Sequence, residues 1–272
     1  MSTSASNAPG ERGQPQGGRP RKPRYAVTVK RVQRLTPRML RITFAGDELA
    51  AFGWNGPAAH IKLFFTPQPP SAQADAVDPV RPVTRTYTPR RFDRDTRELV
   101  VDFVLHGAGP ASEWAEQAAA GQALVIAGPG RSYEVDPHAD WYVLAGDDTA
   151  IPAISTILEV LPPGRRASVL LEVVDAAERH ELTPSTTAEI RWLERGADPA
   201  RAGVELEHAL RQIELPSGSG RIYVACEADA MRRIRRYLLQ ERGIARTDLV
   251  TRGYWKLGAT DHPDRDYGEE IG

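Results

Sequence analysis

Cysteine is almost absent: Cys226 is the only one in 272 residues. That excludes an intrachain disulfide framework and any thiolate cluster for zinc or iron–sulfur, and no metal site is expected. Net charge is nearly absent too, at −1, so nothing draws the whole chain toward nucleic acid or an anionic membrane, and any pull on a charged ligand must be local. No apolar run approaches the ~18 residues that cross a bilayer. The first 24 residues hold no apolar stretch like a signal-peptide core. They are rich in Gly, Pro, Ser and Arg, with Arg12, Arg19, Arg21, Lys22 and Arg24 set against Glu11. A disordered, solvated tail is expected there, with contact to a polyanion as the other reading. The expected compartment is cytoplasmic.

What is present is a 41% apolar and 26% charged composition, ample for one large domain or two of ordinary size. Residues 25 to about 135 show short stretches of period-two alternation separated by turn residues. Strands are expected at 25–32, 39–44, 60–65, 85–88, 99–105 and 124–127, with one helix near 111–119 and a long Pro- and Ala-rich loop over 67–82. Six short strands with brief connections predict a small antiparallel β-barrel. Beyond Asp136-Pro137-His138 the pattern changes. Strands at 141–145, 167–173 and 221–225 alternate with helices at 150–161, 204–213 and 229–242, which predicts an open parallel sheet with helices on both faces. The expected plan is thus β plus α/β: a tail (1–24), a barrel domain (25–137), a nucleotide-binding-like domain (138–257) and a C-terminal tail (258–272).

Arg85-Thr86-Tyr87-Thr88-Pro89-Arg90 is the sharpest local feature. On a strand Arg85 and Tyr87 share a face. A guanidinium can chelate pyrophosphate oxygens while a phenol ring stacks on a flat heterocycle one step along, and Thr88 adds a hydroxyl near its polar edge. An ordinary barrel strand with solvated arginines is the competing reading. The run from Asp102 to Trp114 then passes from a strand through His106-Gly107-Ala108-Gly109 into a helix. Its glycines permit close approach of a phosphate to backbone N–H groups, and Pro110 suits the first helical turn. His106 by itself reads as a hydrogen-bonded structural histidine. A stacking segment and a phosphate-type segment in one barrel together favour a bound flavin.

Four segments in order now resemble a known family: Arg85-Thr86-Tyr87-Thr88-Pro89-Arg90, the run His106 to Trp114, Gly146-Asp147-Asp148-Thr149-Ala150-Ile151-Pro152-Ala153-Ile154, and Gly253-Tyr254-Trp255-Lys256-Leu257-Gly258. The chain resembles the siderophore-interacting proteins, FAD-dependent ferric-siderophore reductases of the ferredoxin–NADP reductase superfamily. The resemblance implies that Arg85, Tyr87 and Thr88 hold the FAD phosphate, ring and ring edge. It implies that Asp102, Val104 and His106 line the ring and ribityl side, and that Gly109, Ala111 and Ser112 take the pyrophosphate. Thr149 matches the position where flavin and nicotinamide meet. No catalytic acid or base is implied, since the cofactor carries the chemistry.

The donor is open between NADH, NADPH and reduced ferredoxin. Glu172 and Asp175 follow the second α/β strand, where an acidic group would bind ribose hydroxyls and repel a 2′-phosphate, while Arg179 would counter that repulsion. No Gly-x-Gly-x-x-Gly follows the first strand. Asp147 and Asp148 read as loop and cap residues rather than a metal pair. Cys226 replaces the glycine the family tends to carry and reads as a small buried residue. For an anionic ferric siderophore, Lys62, Arg131 and Lys256 are the candidate cations, each equally consistent with a solvated charge. Trp255 and Tyr254 either cover a flavin face or fill the domain interface. A general NAD(P)H:flavin or quinone reductase, and a ferric-chelate binding protein without redox activity, are the alternative functions.

Overall fold

The computed structural model describes residues 22–65, 83–107, 109–260 and 262. The expected N-terminal tail (apart from residues 22–24), the 67–82 loop, Ala108 and nearly all residues past 260 lie outside the described residues.

The barrel half is built from β1 (Arg24–Thr36), β2 (Met39–Ala45), β3 (Ile61–Phe65), β4 (Val83–Tyr87), β5 (Pro89–Asp93), β6 (Glu98–Val104) and β7 (Ala123–Ala127), with helix α1 (Pro110–Glu116) between the last two. They form one antiparallel sheet in the order β4-β3-β7-β1-β2-β6-β5. There are seven strands rather than the expected six, because the stretch after Arg85 makes two. Thr88 interrupts the run, and Pro89, which has no N–H to donate, opens β5 against β6. The two edges of the sheet are therefore consecutive in the chain, and the sheet curls until they meet. Alternate residues such as Ile42, Phe44, Ile61, Leu63, Leu99, Val101, Phe103 and Ile126 point inward and form its core. Trp114 of α1 lies over this core, its ring 5.5 Å from Phe65 and 6.0 Å from Phe103.

The second half comprises β8 (Trp141–Asp147), α2 (Ile151–Leu158), β9 (Arg166–Val173), β10 (Thr187–Glu194), α3 (Val204–Gln212), β11 (Gly220–Glu227), α4 (Ala228–Arg236) and β12 (Leu249–Trp255). The sheet is parallel, in the order β10-β9-β8-β11-β12. Each strand splits its residues between two cores. Tyr142, Leu144, Val169 and Leu171 pack with α2, while Val143, Ala145, Leu170 and Val224 pack with α3 and α4. Helices on both faces are as expected; β10 and β12 are strands beyond those expected. Chain order reverses between β8 and β11, which makes their carboxyl ends the switch point of the sheet.

The two halves meet along the outer side of β2, β5 and β6. Met39 and Val104 join the α2-side core, Glu178 accepts from Thr36 Oγ1 and from the Arg38 N–H, and Thr156 Oγ1 accepts from the Ala58 N–H at 2.8 Å.

Candidate functional site

Arg85 and Tyr87 lie on β4, register partners of Leu63 and Ile61 of β3. Those partners are core residues, so Arg85 and Tyr87 point to the barrel's inner side at its edge, both half-buried. The Tyr87 ring sits 4.4 Å from that of Phe103, and Phe103 in turn approaches Trp114 of α1. Phe103 thus joins the two segments that the sequence argument paired. Burial pushes the Tyr87 phenol well above its ordinary range, with Arg85 pulling the other way. The phenol therefore stays neutral, an apolar ring with a hydrogen-bonding tip. Thr88 is buried at the hinge between β4 and β5.

The turn into α1 needs its glycines. Gly107 and Gly109 have φ of +75° and +92°, and a side-chain carbon placed on Gly107 would meet no atom within 4 Å. The backbone here is open to a ligand. The buried Ser112 Oγ accepts from the His106 N–H at 3.2 Å, which braces the turn and leaves the hydroxyl's own O–H to donate. Ala111 packs into the barrel core and Trp114 stands against it. His106 is exposed beside the glycines.

Asp102 and Val104 differ from expectation more sharply. Asp102 faces away from the barrel core and is gripped by Arg41 through two bonds, Nε–Oδ1 at 2.7 Å and Nη2–Oδ2 at 2.8 Å. That bidentate pair raises the Arg41 pKa still further. Val104 packs into the α2-side core. Asp102 thus ties β6 to β2, and Val104 sets β6 against the second half.

A guanidinium, a neutral phenol ring and an open glycine turn, brought together around Phe103, suit the pyrophosphate and flat ring of FAD in charge, size and polarity.

At the end of β8, Asp147 is 1% exposed. Its Oδ1 accepts from the N–H and hydroxyl of Thr149 at 3.0 and 2.5 Å. Its Oδ2 accepts from the Glu227 N–H at 3.0 Å and from Trp255 Nε1 at 2.8 Å. Desolvation, then the neighbouring Asp148, push this carboxyl up to about 7. Asp148 pairs with Arg195 at 2.9 Å. Both acids are the loop and cap residues expected. Trp255 is thereby fixed at the sheet edge, while Tyr254 packs on the α2-side core and its hydroxyl lies 2.8 Å from that of Tyr223.

The ribose role expected of Glu172 is excluded. Glu172 is fully buried and accepts from the N–H groups of Gly203 and Leu206 at 2.7 and 3.1 Å, capping α3 from below. Asp175 caps a short turn through the Ala177 N–H, and Arg179 pairs with Glu194. Cys226 is buried in the α3–α4 core, and its thiol is pushed up by desolvation and by Asp147; it is no nucleophile.

Cations gather around His60, Lys62 of the expected set among them. His60, just before β3, is bonded to Lys22 Nζ at 3.2 Å. Its carbonyl accepts from the Gly130 N–H at 2.6 Å, and a side chain on Gly130 would strike its ring at 1.9 Å. Burial, then the charges of Lys22 and Arg252, hold the imidazole down at about 4, with Arg131 and Lys62 also acting on it. Lys62 is therefore in one cluster with Lys22 and Arg252, while Arg131 reaches His60 through its backbone. Lys62 pairs in register with exposed Thr86, on the opposite face of the strand from Arg85 and Tyr87. Lys256 is elsewhere, bonded to Asp229 at the start of α4 at 3.4 Å. Arg252, on β12, was missed; its only signal is its place two residues before Tyr254.

Comparison with known proteins follows this geometry. The sequence model of the siderophore-interacting FAD-binding domain matches residues 28–133, and that of the siderophore-interacting protein matches residues 139–258. The ferric vibriobactin reductase ViuB of Vibrio cholerae is 36% identical over 234 residues, 82% of this chain and 86% of that protein. An NADPH-dependent ferric-chelate reductase of Escherichia coli is 31% identical over 222 residues, covering 77% and 84% of the two chains. A siderophore utilization protein from T. fusca superposes with a TM-score of 0.79 at 38% identity, over 89% of this chain and 95% of that one. The chain belongs to the siderophore-interacting protein family.

Proposed function

We propose that the chain is an FAD-dependent reductase that converts Fe(III) in a ferric siderophore to Fe(II), with NADH, NADPH or reduced ferredoxin as donor, and that it works in the cytoplasm. Residues 25–137 serve as the FAD-binding domain and residues 138–257 as the donor-side domain. The observation that carries the reading is that Phe103 joins Tyr87, on the strand that also carries Arg85, to Trp114 of the helix that the Gly107–Gly109 turn opens. Reductase activity on ferric vibriobactin and ferric chelates in the names of relatives supports the iron substrate.

Bound FAD supplies the chemistry, taking electrons as a pair and passing them on singly. Arg85 holds the phosphates, Tyr87 and Thr88 the ring, and the backbone from Gly109 to Ser112 the pyrophosphate. The cluster of Lys22, Lys62 and Arg252, with Arg131 on the adjoining turn, holds the anionic chelate. Once reduced, iron is bound weakly by hard oxygen donors, which releases the metal. No side chain need act as acid or base.

The test compares Fe(II) release from ferric siderophores with quinone turnover under matched NADH, NADPH and ferredoxin supply. Faster turnover of the chelate is expected. Equal or better quinone turnover without chelate binding would turn the reading into that of a general flavin reductase, and a protein that cannot take up FAD would make it a chelate binder.

A further inference from the structure

Parallel α/β sheets hold a dinucleotide's pyrophosphate at free backbone N–H groups of helix N-termini, along the carboxyl edge beside the switch point. Here the protein's own carboxylates already take several of those donors. At α4, Glu227 Oε2 accepts from the N–H groups of Asp229 and Ala230 at 2.7 and 2.9 Å. At α3, Glu172 takes Gly203 and Leu206. Ahead of α2, Asp147 takes the Thr149 N–H, and Pro152 has no N–H to offer. The crevice between β8 and β11 is itself bridged, because the Glu227 N–H reaches Asp147 Oδ2 across it.

Charge points the same way. Asp147, Asp148, Glu172 and Glu227 are all buried at this edge. Arg195 sits among them, bonded to Asp148 through Nη2, its Nη1 buried without a partner among the described residues. A pyrophosphate brought to this edge would meet buried carboxylates that already hold the N–H groups of Gly203, Leu206, Asp229, Ala230 and Thr149.

We propose that a dihydronicotinamide donor is held by its nicotinamide end alone, its adenosine diphosphate half remaining in solvent with no anchor among the described residues of the sheet edge. This rests on the reading of the chain as a dihydronicotinamide-driven flavin reductase. Two consequences follow from the chemistry. Removing the adenylate half costs the donor little, and a 2′-phosphate on it changes little, so NADH and NADPH serve alike.

The FAD-loaded protein is mixed anaerobically with NADH, NADPH or reduced nicotinamide mononucleotide, and bleaching of the flavin is timed. Second-order rate constants within about threefold of one another are expected, since uniform binding by a remote group is what the truncation removes. Calorimetric titration with ADP-ribose and with its 2′-phosphate is expected to show no binding up to millimolar concentration, with or without FAD. A mononucleotide slower by about thirtyfold or more, or micromolar binding of either ADP-ribose, would overturn the inference while leaving the reductase reading intact. Bleaching by dithionite but by none of the three nicotinamides would overturn the donor reading, and the inference with it.

Discussion

Arg90 grips both carboxylate oxygens of Glu159, Nη1 lying 2.9 Å from Oε2 and Nη2 bonding Oε1. Arg90 closes the Arg85-to-Arg90 segment, and Glu159 follows the last residue of α2, so one ion pair ties the flavin strand to the second half. Glu159 also acts on Arg41, the partner of Asp102, which extends the alternating charges to β6.

Reversing either charge, Arg90→Glu or Glu159→Arg, is expected to lower stability by about 1 kcal/mol, the scale of a partly exposed bidentate pair. The double reversal is expected to recover most of that loss. Urea midpoints of the four proteins check this, and independent, additive losses would refute a direct pairing.

Arg85→Ala is expected to weaken FAD binding by about 1.5–3 kcal/mol, roughly tenfold to a hundredfold in Kd, as removal of a charged hydrogen-bond donor does. Fluorescence titration of the apoprotein measures it. An unchanged Kd would take Arg85 out of the phosphate role.

Arg252→Ala is expected to raise the KM for an anionic ferric chelate by about three- to tenfold, and to flatten its dependence on salt. Lys256→Ala, whose ammonium is spent on Asp229, is expected to change KM by less than about twofold. The reverse order would restore Lys256 and discredit the His60 cluster.

His60 titrates at about 4 in the fold, against an ordinary value of 6.5. Between those values the unfolded chain binds the extra proton, so stability is full above the upper one and is lost as pH falls toward the lower. The difference in melting temperature between the parent and His60→Gln is expected to change between about pH 7.5 and about pH 5, the parent losing more on acidification. A constant difference would mean an imidazole free to protonate.

Much of the fold was legible because burial writes its period into the chain. β8 is buried at every position and reads as a continuous apolar run, and α4 carries Met231 and Ile234 on a stripe that Leu238 continues in the turn after it. β10 escaped because it is an edge strand whose residues are at most half-buried, with charged Glu189, Arg191 and Glu194 in the pattern. β5 escaped because Pro89, Arg90 and Arg91 look like a turn. At the site, the glycine turn could be read locally, since positive φ is a property of the residue itself. The roles of Glu172, Asp102 and Arg252 could not. Each depends on a partner brought in by folding: Gly203 lies 31 residues from Glu172 and Arg41 lies 61 from Asp102. An acid at a strand's end looks the same in sequence whether it meets a ribose or a helix.

The seam of the barrel adds a last consequence. Because β4 and β5 are one stretch hinged at Thr88, both edges of the seven-stranded sheet come together at that residue, and a ligand gripping Arg85, Tyr87 and Thr88 holds one edge and the hinge to the other. Such a ligand acts as a clasp: it holds the sheet shut where the ladder of backbone bonds is missing. Flavin loss then amounts to unbuttoning the barrel, and the edges so freed are the places where chains would pair with one another.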